Sequence, residues 1–175
     1  MSNRFARFLT LAGLLSLLAL VPPAFAQQAS PGAAGADVTT EQFRDWEVAC
    51  PSEGGGNCTM NQVVNDPGGN QPLMQVIVAY PPQLDGPAMT FLLPLGVRLA
   101  PGLQLQVGGG EPAQFPYQVC MQQGCRADLP LQPSLLEALR GGNTATLSLI
   151  DPRGERIDLD ISLMGFTSAS QRITP

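Results

Sequence analysis

The chain of 175 residues has no histidine and no lysine. Without imidazole, neither a Ser-His-Asp triad nor a Cys-His pair can be assembled, since both need a base that takes the nucleophile's proton near neutral pH. The histidine-containing structural zinc sites go with it. Without lysine, nine arginines stand against fourteen acidic residues, a formal charge of −5. Such a balance lacks the basic patches that nucleic acid or anionic headgroups require, so no nucleic-acid partner is expected. A C-x-x-C redox motif is missing as well. There is one tryptophan, and only 13% of the residues are charged.

The N-terminus has the pattern of an export signal. Arg4 and Arg7 precede a nearly unbroken apolar stretch from Phe8 to Leu20, then Pro22-Pro23 and the small-x-small run Ala24-Phe25-Ala26. The apolar stretch is shorter than the about 20 residues a membrane span needs, and a small-residue cleavage site follows it. Residues 1–26 are therefore expected to be a signal peptide. The remaining 149 residues suit one ordinary domain, and hold seven arginines against fourteen acids, a formal charge of −7. No transmembrane segment is expected in the mature chain, and the expected location is the periplasm, the cell surface or the exterior. Residues 27–40, small and polar without apolar period, are expected to be a flexible tether. The folded domain is expected over 41–169, with a C-terminal tail at 170–175.

Within that domain the apolar period is mostly two. Trp46, Val48 and Cys50 share one strand face; Met60, Gln62 and Val64 share one face of the next strand, and Thr59, Asn61 and Val63 the other. Asn65 to Asn70 has turn composition. Leu73–Tyr80, Met89–Leu93 and Leu103–Val107 are further strands, and the prolines and glycines of "PLGVRLAPG" argue against a strand between the last two. Thr144–Ile150, the turn Asp151-Pro152-Arg153-Gly154 and Arg156–Met164 form a hairpin, with Ile157, Leu159, Ile161 and Leu163 facing inward and Asp158, Asp160 and Ser162 outward. One short helix is expected from Pro133, with a capping box at Ser134 to Glu137 and an end at Gly141. The predicted fold is all-β: an antiparallel β-sandwich or flattened barrel with one short helix, stapled by disulfides.

Four cysteines in an exported chain predict disulfides. Three pairings are possible. By loop entropy, Cys50–Cys58 and Cys120–Cys125 would contribute about 2 to 2.6 kcal/mol each, and a long crosslink such as Cys50–Cys125 about 4.5 kcal/mol. Each local pair flanks a turn between strands, and that geometry favours the local pairing; the alternatives stay open. No metal and no cofactor are expected. Asp158 and Asp160 are the only paired carboxylates on one face, and a solvated outer strand explains them. "VGGGEP" at 107–112 lacks the lysine and helix of a phosphate loop and is expected to be a hairpin tip. Trp46 is expected in the core against the Cys50–Cys58 disulfide, with Phe115, Tyr117 and Phe166 also in the core.

In order, the segments "WEVAC", "CTMNQ", "LPLGVRL", "PYQVC", "GCRA", "LLEALRG" and "SLMGFTSA" resemble the invasion-associated locus B family of exported bacterial proteins, over roughly residues 43–169. Members usually have an Asp-Gly turn where Gly108-Gly109-Gly110 stands here, and are richer in lysine. The resemblance implies a disulfide-containing periplasmic or surface β domain, not an enzyme, in some bacteria linked to host-cell invasion. It supplies no ligand-binding residue. It implies framework positions at Cys50, Cys58, Cys120, Cys125, Trp46, Gly165 and Phe166. The functional expectation is a non-enzymatic envelope protein contacting an unidentified envelope or host protein. The alternative is a periplasmic small-molecule or carbohydrate binder, or a carboxylate-only enzyme using Asp158 and Asp160. Disulfide exchange, which needs a reactive thiol, is a third.

Overall fold

Residues 38–52, 57–66 and 71–175 are described by a computed structural model. The expected signal peptide at 1–26, residues 27–37 of the expected tether, residues 53–56 of the first disulfide loop and residues 67–70 of the expected turn lie outside the described residues.

Eleven strands and two helices follow one another among the described residues. They are β1 (Val38–Phe43), β2 (Trp46–Pro51), β3 (Thr59–Asn65), β4 (Pro72–Ala79), β5 (Ala88–Leu93), β6 (Leu103–Val107), β7 (Ala113–Phe115), β8 (Tyr117–Met121), β9 (Gly124–Pro130), helix α1 (Pro133–Gly141), β10 (Thr144–Ile150), β11 (Arg156–Ser162) and helix α2 (Phe166–Arg172). Two antiparallel sheets result. The larger runs β1-β2-β3-β4-β5-β9-β8, the smaller β11-β10-β6-β7. The expected all-β, disulfide-stapled architecture is present, with corrections at the ends of the domain, at α1 and in β11.

The first correction concerns the ends. β1 begins at Val38, three residues before the expected start of the folded part, and all six of its residues pair with β2. The tether cannot extend to residue 40 because Val38, Thr39 and Thr40 pair with Pro51, Cys50 and Ala49 of β2. At the other end, a second short helix, α2, covers 166–172, and Ile173 beyond it is 2% exposed. Residues expected to form a tail therefore complete the core. The second correction concerns α1, which starts with Pro133 at its first position; Gln132 is the N-cap and makes no side-chain cap bond. The Ser134–Glu137 capping box is not used, since proline, having no N–H and a preset φ, already suits the first turn.

Period-two patterning explains the core. In β2 the residues Trp46, Val48 and Cys50 are buried while Glu47, Ala49 and Pro51 are half-exposed. β4 alternates likewise, with Met74, Val76 and Val78 buried. Leu103, Leu105, Leu147 and Ile161 of the smaller sheet meet these side chains in one continuous cluster. In β11 the predicted inward face buries only toward its end: Ile157 is 40% exposed, Leu159 half-buried and Ile161 fully buried. The strand stops at Ser162 rather than Met164. "PLGVRLAPG" contains no strand, and Arg98 pins it: its N–H donates to the Ile150 carbonyl at 2.8 Å and its Nη2 to the Pro152 carbonyl at 3.0 Å. "VGGGEP" is the tip joining the antiparallel β6 and β7, with the Gly110 N–H donating to the Val107 carbonyl.

Candidate functional site

Residues from the two ends of the domain converge on one joint. The β1–β2 hairpin turns through Arg44 and Asp45, with Arg44 at φ 56°. Gly165, the N-cap of α2, lies against that turn at φ 92°. A Cβ at residue 165 would stand 1.9 Å from the Phe43 carbonyl oxygen, so no side chain fits there. Phe166 then packs its ring edge-to-face on Trp46, centroids 5.2 Å apart and planes at 82°. The aromatic partner of Trp46 is thus Phe166, at the far end of the chain. Both rings are fully buried, and the Trp46 Nε1–H donates to the Ser162 carbonyl at 2.9 Å.

Gln62 of β3 closes the same joint. Its Oε1 accepts the Ser162 N–H at 3.0 Å, and its Nε2 donates to the carbonyls of Ser162 and Asp45, each at 3.0 Å. One side chain, 7% exposed, thereby imitates a strand neighbour for β11 and ties the two sheets together. Ser162 Oγ donates to Asp45 Oδ2. The sequence signal was already visible, a lone amide on a face shared with Met60 and Val64, but its partners could not be read from local spacing.

The disulfides are local. Cys50 bonds Cys58, with Cα atoms 4.2 Å apart, and Cys120 bonds Cys125, with Cα atoms 4.0 Å apart. Cys120 and Cys125 are direct cross-strand partners, and the Ala49–Thr59 pairing carries Cys50 toward Cys58. Such opposed positions bring Cα atoms to about 4.5 Å, which suits a short staple and leaves a Cys50–Cys125 crosslink no place. Near the first disulfide, Arg172 pairs with Glu41 at 2.8 Å and its Nη1 lies 3.7 Å from Cys58 Sγ, holding α2 to β1. The two bonds use all four cysteines of the chain.

Asp158 and Asp160 do not converge on an enclosed pocket. Both point outward from β11, an edge strand, and each is held by its cross-strand neighbour. Ser148 Oγ donates to Asp158 Oδ1 at 2.6 Å, and Thr146 Oγ1 to Asp160 Oδ1 at 2.9 Å. The bonds from Ser148 and Arg156 hold the Asp158 carboxyl below the usual carboxylate range. That makes it a weaker base, the reverse of what general-base catalysis near neutral pH needs. Asp151, in the neighbouring turn, is lowered chiefly by accepting the Glu155 N–H, with further help from Arg153. Among the described residues no group of three or more Cys, Asp or Glu side chains could hold a metal ion.

An apolar groove of about 580 Å³ lies on the outer face of the seven-stranded sheet and was not anticipated. The pairings Val63–Gln75, Gln75–Leu92, Leu92–Arg126 and Arg126–Val119 place one row of residues across five strands. Leu73 and Met121 add to it, and Val63, Leu92, Val119 and Met121 are exposed. Among the described residues no acid lines the groove, and Arg126 is its only charge. The outer face of the smaller sheet is polar by contrast, with Gln114, Gln104, Ser148 and Asp158 in one row.

A sequence profile of the invasion associated locus B (IalB) protein family matches residues 46–174. A protein of Brucella abortus (strain 2308) named an invasion protein B homolog is 28% identical over 144 residues, covering 79% of this chain and 81% of the relative. The homolog from Brucella abortus biovar 1 (strain 9-941) aligns to the same extent. The crystal structure of invasion associated protein B from Bartonella henselae shares the fold, with a TM-score of 0.68 at 23% identity over 77% of this chain and 95% of that one. Among the described residues no helix is long and apolar enough to cross a membrane.

Proposed function

Because the chain belongs to the invasion associated locus B family, we propose that it is a non-enzymatic exported envelope protein that acts by contacting another protein. The contact takes place in the periplasm or at the cell surface, and its partner is an envelope or host-cell protein. The observation that carries this reading is the pair of local disulfides in a two-sheet domain that presents an open apolar groove on its larger sheet. Disulfides persist in oxidising compartments, which agrees with the export signal over residues 1–26. An apolar face rimmed by polar residues is the usual surface of a protein contact. The curated relatives are named invasion proteins, which favours a role at the host interface. The competing carboxylate-only reading rests on Asp158 and Asp160, both engaged on an outer strand face by Ser148 and Thr146.

Envelope fractionation with crosslinking in intact cells tests the proposal. The protein should be recovered outside the cytoplasm in a discrete covalent adduct. Recovery of an unassociated monomer alone, with crosslinkers of several lengths, would refute it.

A further inference from the structure

We infer that the apolar groove and the adjoining edge strand β8 form the contact surface, and that its occupant is an extended apolar segment carrying a carboxylate, added as a strand beside β8. This rests on the reading of the protein as one that works through protein contacts. The first ground is the comparison of the four sheet edges. Exposed edges are normally blunted by charge, proline, shortness or a covering element. β11 carries Arg156, Asp158 and Asp160; β7 has three residues between Pro112 and Pro116; β1 carries Glu41, ion-paired with Arg172 of α2. β8 has Pro116 and a register irregularity only at its start, before Val119, and its stretch Val119–Met121 is regularly paired and unblunted. Residues 117–124, Tyr117 to Gly124, hold no charge and no proline, and Val119 and Met121 are 43% and 62% exposed.

The second ground is charge. In a chain with fourteen acidic residues and nine arginines, the described lining of the groove has no acid and one arginine. Arg126 bonds Asp128 Oδ1 through Nε at 3.0 Å while 54% of its side chain is exposed. It stands in register between Leu92 and Val119, within the apolar row. An acyl chain suits this site poorly. Small apolar ligands are held in clefts that bury most of their surface, whereas one sheet face covers a single side. A strand needs only one side, because its residues alternate and its backbone is satisfied by the neighbouring edge. A second copy paired through β8 would continue the row as Arg126, Val119, Val119, Arg126, two like charges with no acid between them.

The test uses the oxidised protein purified from a bacterial periplasm. The probe is a synthetic peptide of about nine alternating valine and threonine residues, strand length for a sheet, with a free C-terminal carboxylate or an amide. In a nitrogen-15 NMR titration the carboxylate form should shift the amides of β8, β9 and Leu92 saturably. It should bind about two- to fivefold more tightly than the amide, the range for an exposed ion pair. Arg126→Gln should abolish that difference. Val119→Glu should weaken both peptides at least about tenfold, an unpaired charge placed in the apolar row, while Ile157→Glu on β11 should change neither. Trp46 emission verifies that each variant is folded. Absence of saturable shifts, shifts elsewhere, or unchanged binding by Val119→Glu would overturn the inference. So would a dimer in light scattering that Val119→Glu dissociates, or laurate displacing the peptide. The intact-cell crosslink separates the two levels. An adduct lost in Val119→Glu supports the inference; an adduct retained overturns it while leaving the protein-contact reading standing. No adduct in the wild type removes both.

Discussion

Gly165→Ala should be among the costlier small substitutions in the protein. Two penalties combine at that residue. At φ 92° an L-residue pays about 1 to 2 kcal/mol relative to glycine. The new Cβ also meets the Phe43 carbonyl oxygen at 1.9 Å, whereas real Cβ contacts do not fall below 3.0 Å, so the turn or α2 must retreat by about an ångström. Forcing an extra carbon into a packed joint costs about 1 to 3 kcal/mol more. Together the loss is about 2 to 5 kcal/mol. With a urea slope of about 2 kcal/mol per molar, the unfolding midpoint should fall by about 1 to 2.5 M. Gly108→Ala isolates the first penalty, since Gly108 has φ 54° and a methyl group there would have nothing within 4 Å. Its midpoint should fall by about 0.5 to 1 M. Trp46, the sole tryptophan, is fully buried against Phe166 and reports this joint by its emission, while circular dichroism reports the sheets. If Gly165→Ala falls no further than Gly108→Ala, the collision with Phe43 does not govern the joint and the reasoning fails.

Other named contacts carry their own expected outcomes. Gln62→Leu keeps bulk but leaves the Ser162 N–H without its acceptor, which should cost about 2 to 3 kcal/mol and speed hydrogen exchange at Ser162; unchanged exchange there would contradict the clamp. Replacing Cys50 and Cys58 together by alanine should cost about 2.5 kcal/mol and replacing Cys120 and Cys125 about 2 kcal/mol, by loop lengths of 8 and 5 residues. Non-reducing peptide mapping that joins Cys50 to Cys125 would refute both figures. Asp151→Asn should flatten the acid limb of the stability curve. Its folded carboxyl is lowered by the Glu155 N–H and Arg153, so its stabilisation is complete above the unfolded value of about 3.9 and is lost as pH falls through the folded value. Equal losses by wild type and variant between about pH 5 and about pH 2 would show that Asp151 is not a source of that limb.

Local pattern and global structure agree where a residue's role depends on its near neighbours. β10 runs Thr144–Ile150 as its period-two apolar pattern predicts, because one face covers the core and the other is wet. The first strand escaped because "VTTEQF" is a polar edge strand with no buried residue and so no apolar period to detect. The second helix escaped for a related reason. "FTSASQR" is seven residues of small and polar side chains, and its stability comes from Phe166, Ala169 and Ser170 packing against elements more than a hundred residues earlier and against α1. Tertiary burial, not propensity, makes it a helix.

The same distinction explains why the groove was invisible in the chain order. Val63, Gln75, Leu92, Arg126 and Val119 come from five strands, and nothing in any one strand marks its residue as exceptional. Val63 is an outward residue on an alternating strand, and single exposed apolar residues are common. They become a feature only when register lines them up, and register is a property of pairings such as Leu92–Arg126. The disulfides set part of that register. Cys120–Cys125 fixes the partner of β8 across a two-residue turn, and the unbroken register back from that turn places Val119 beside Arg126; the irregularity between Tyr117 and Val119 shifts only Tyr117. The cysteines recognised first as fold staples thus also determine which side chains face outward along the uncharged edge. A framework role and a contact role need not be separate in this domain: the second disulfide stiffens the edge strand that a partner strand would extend, and a preordered edge lowers the ordering cost of binding.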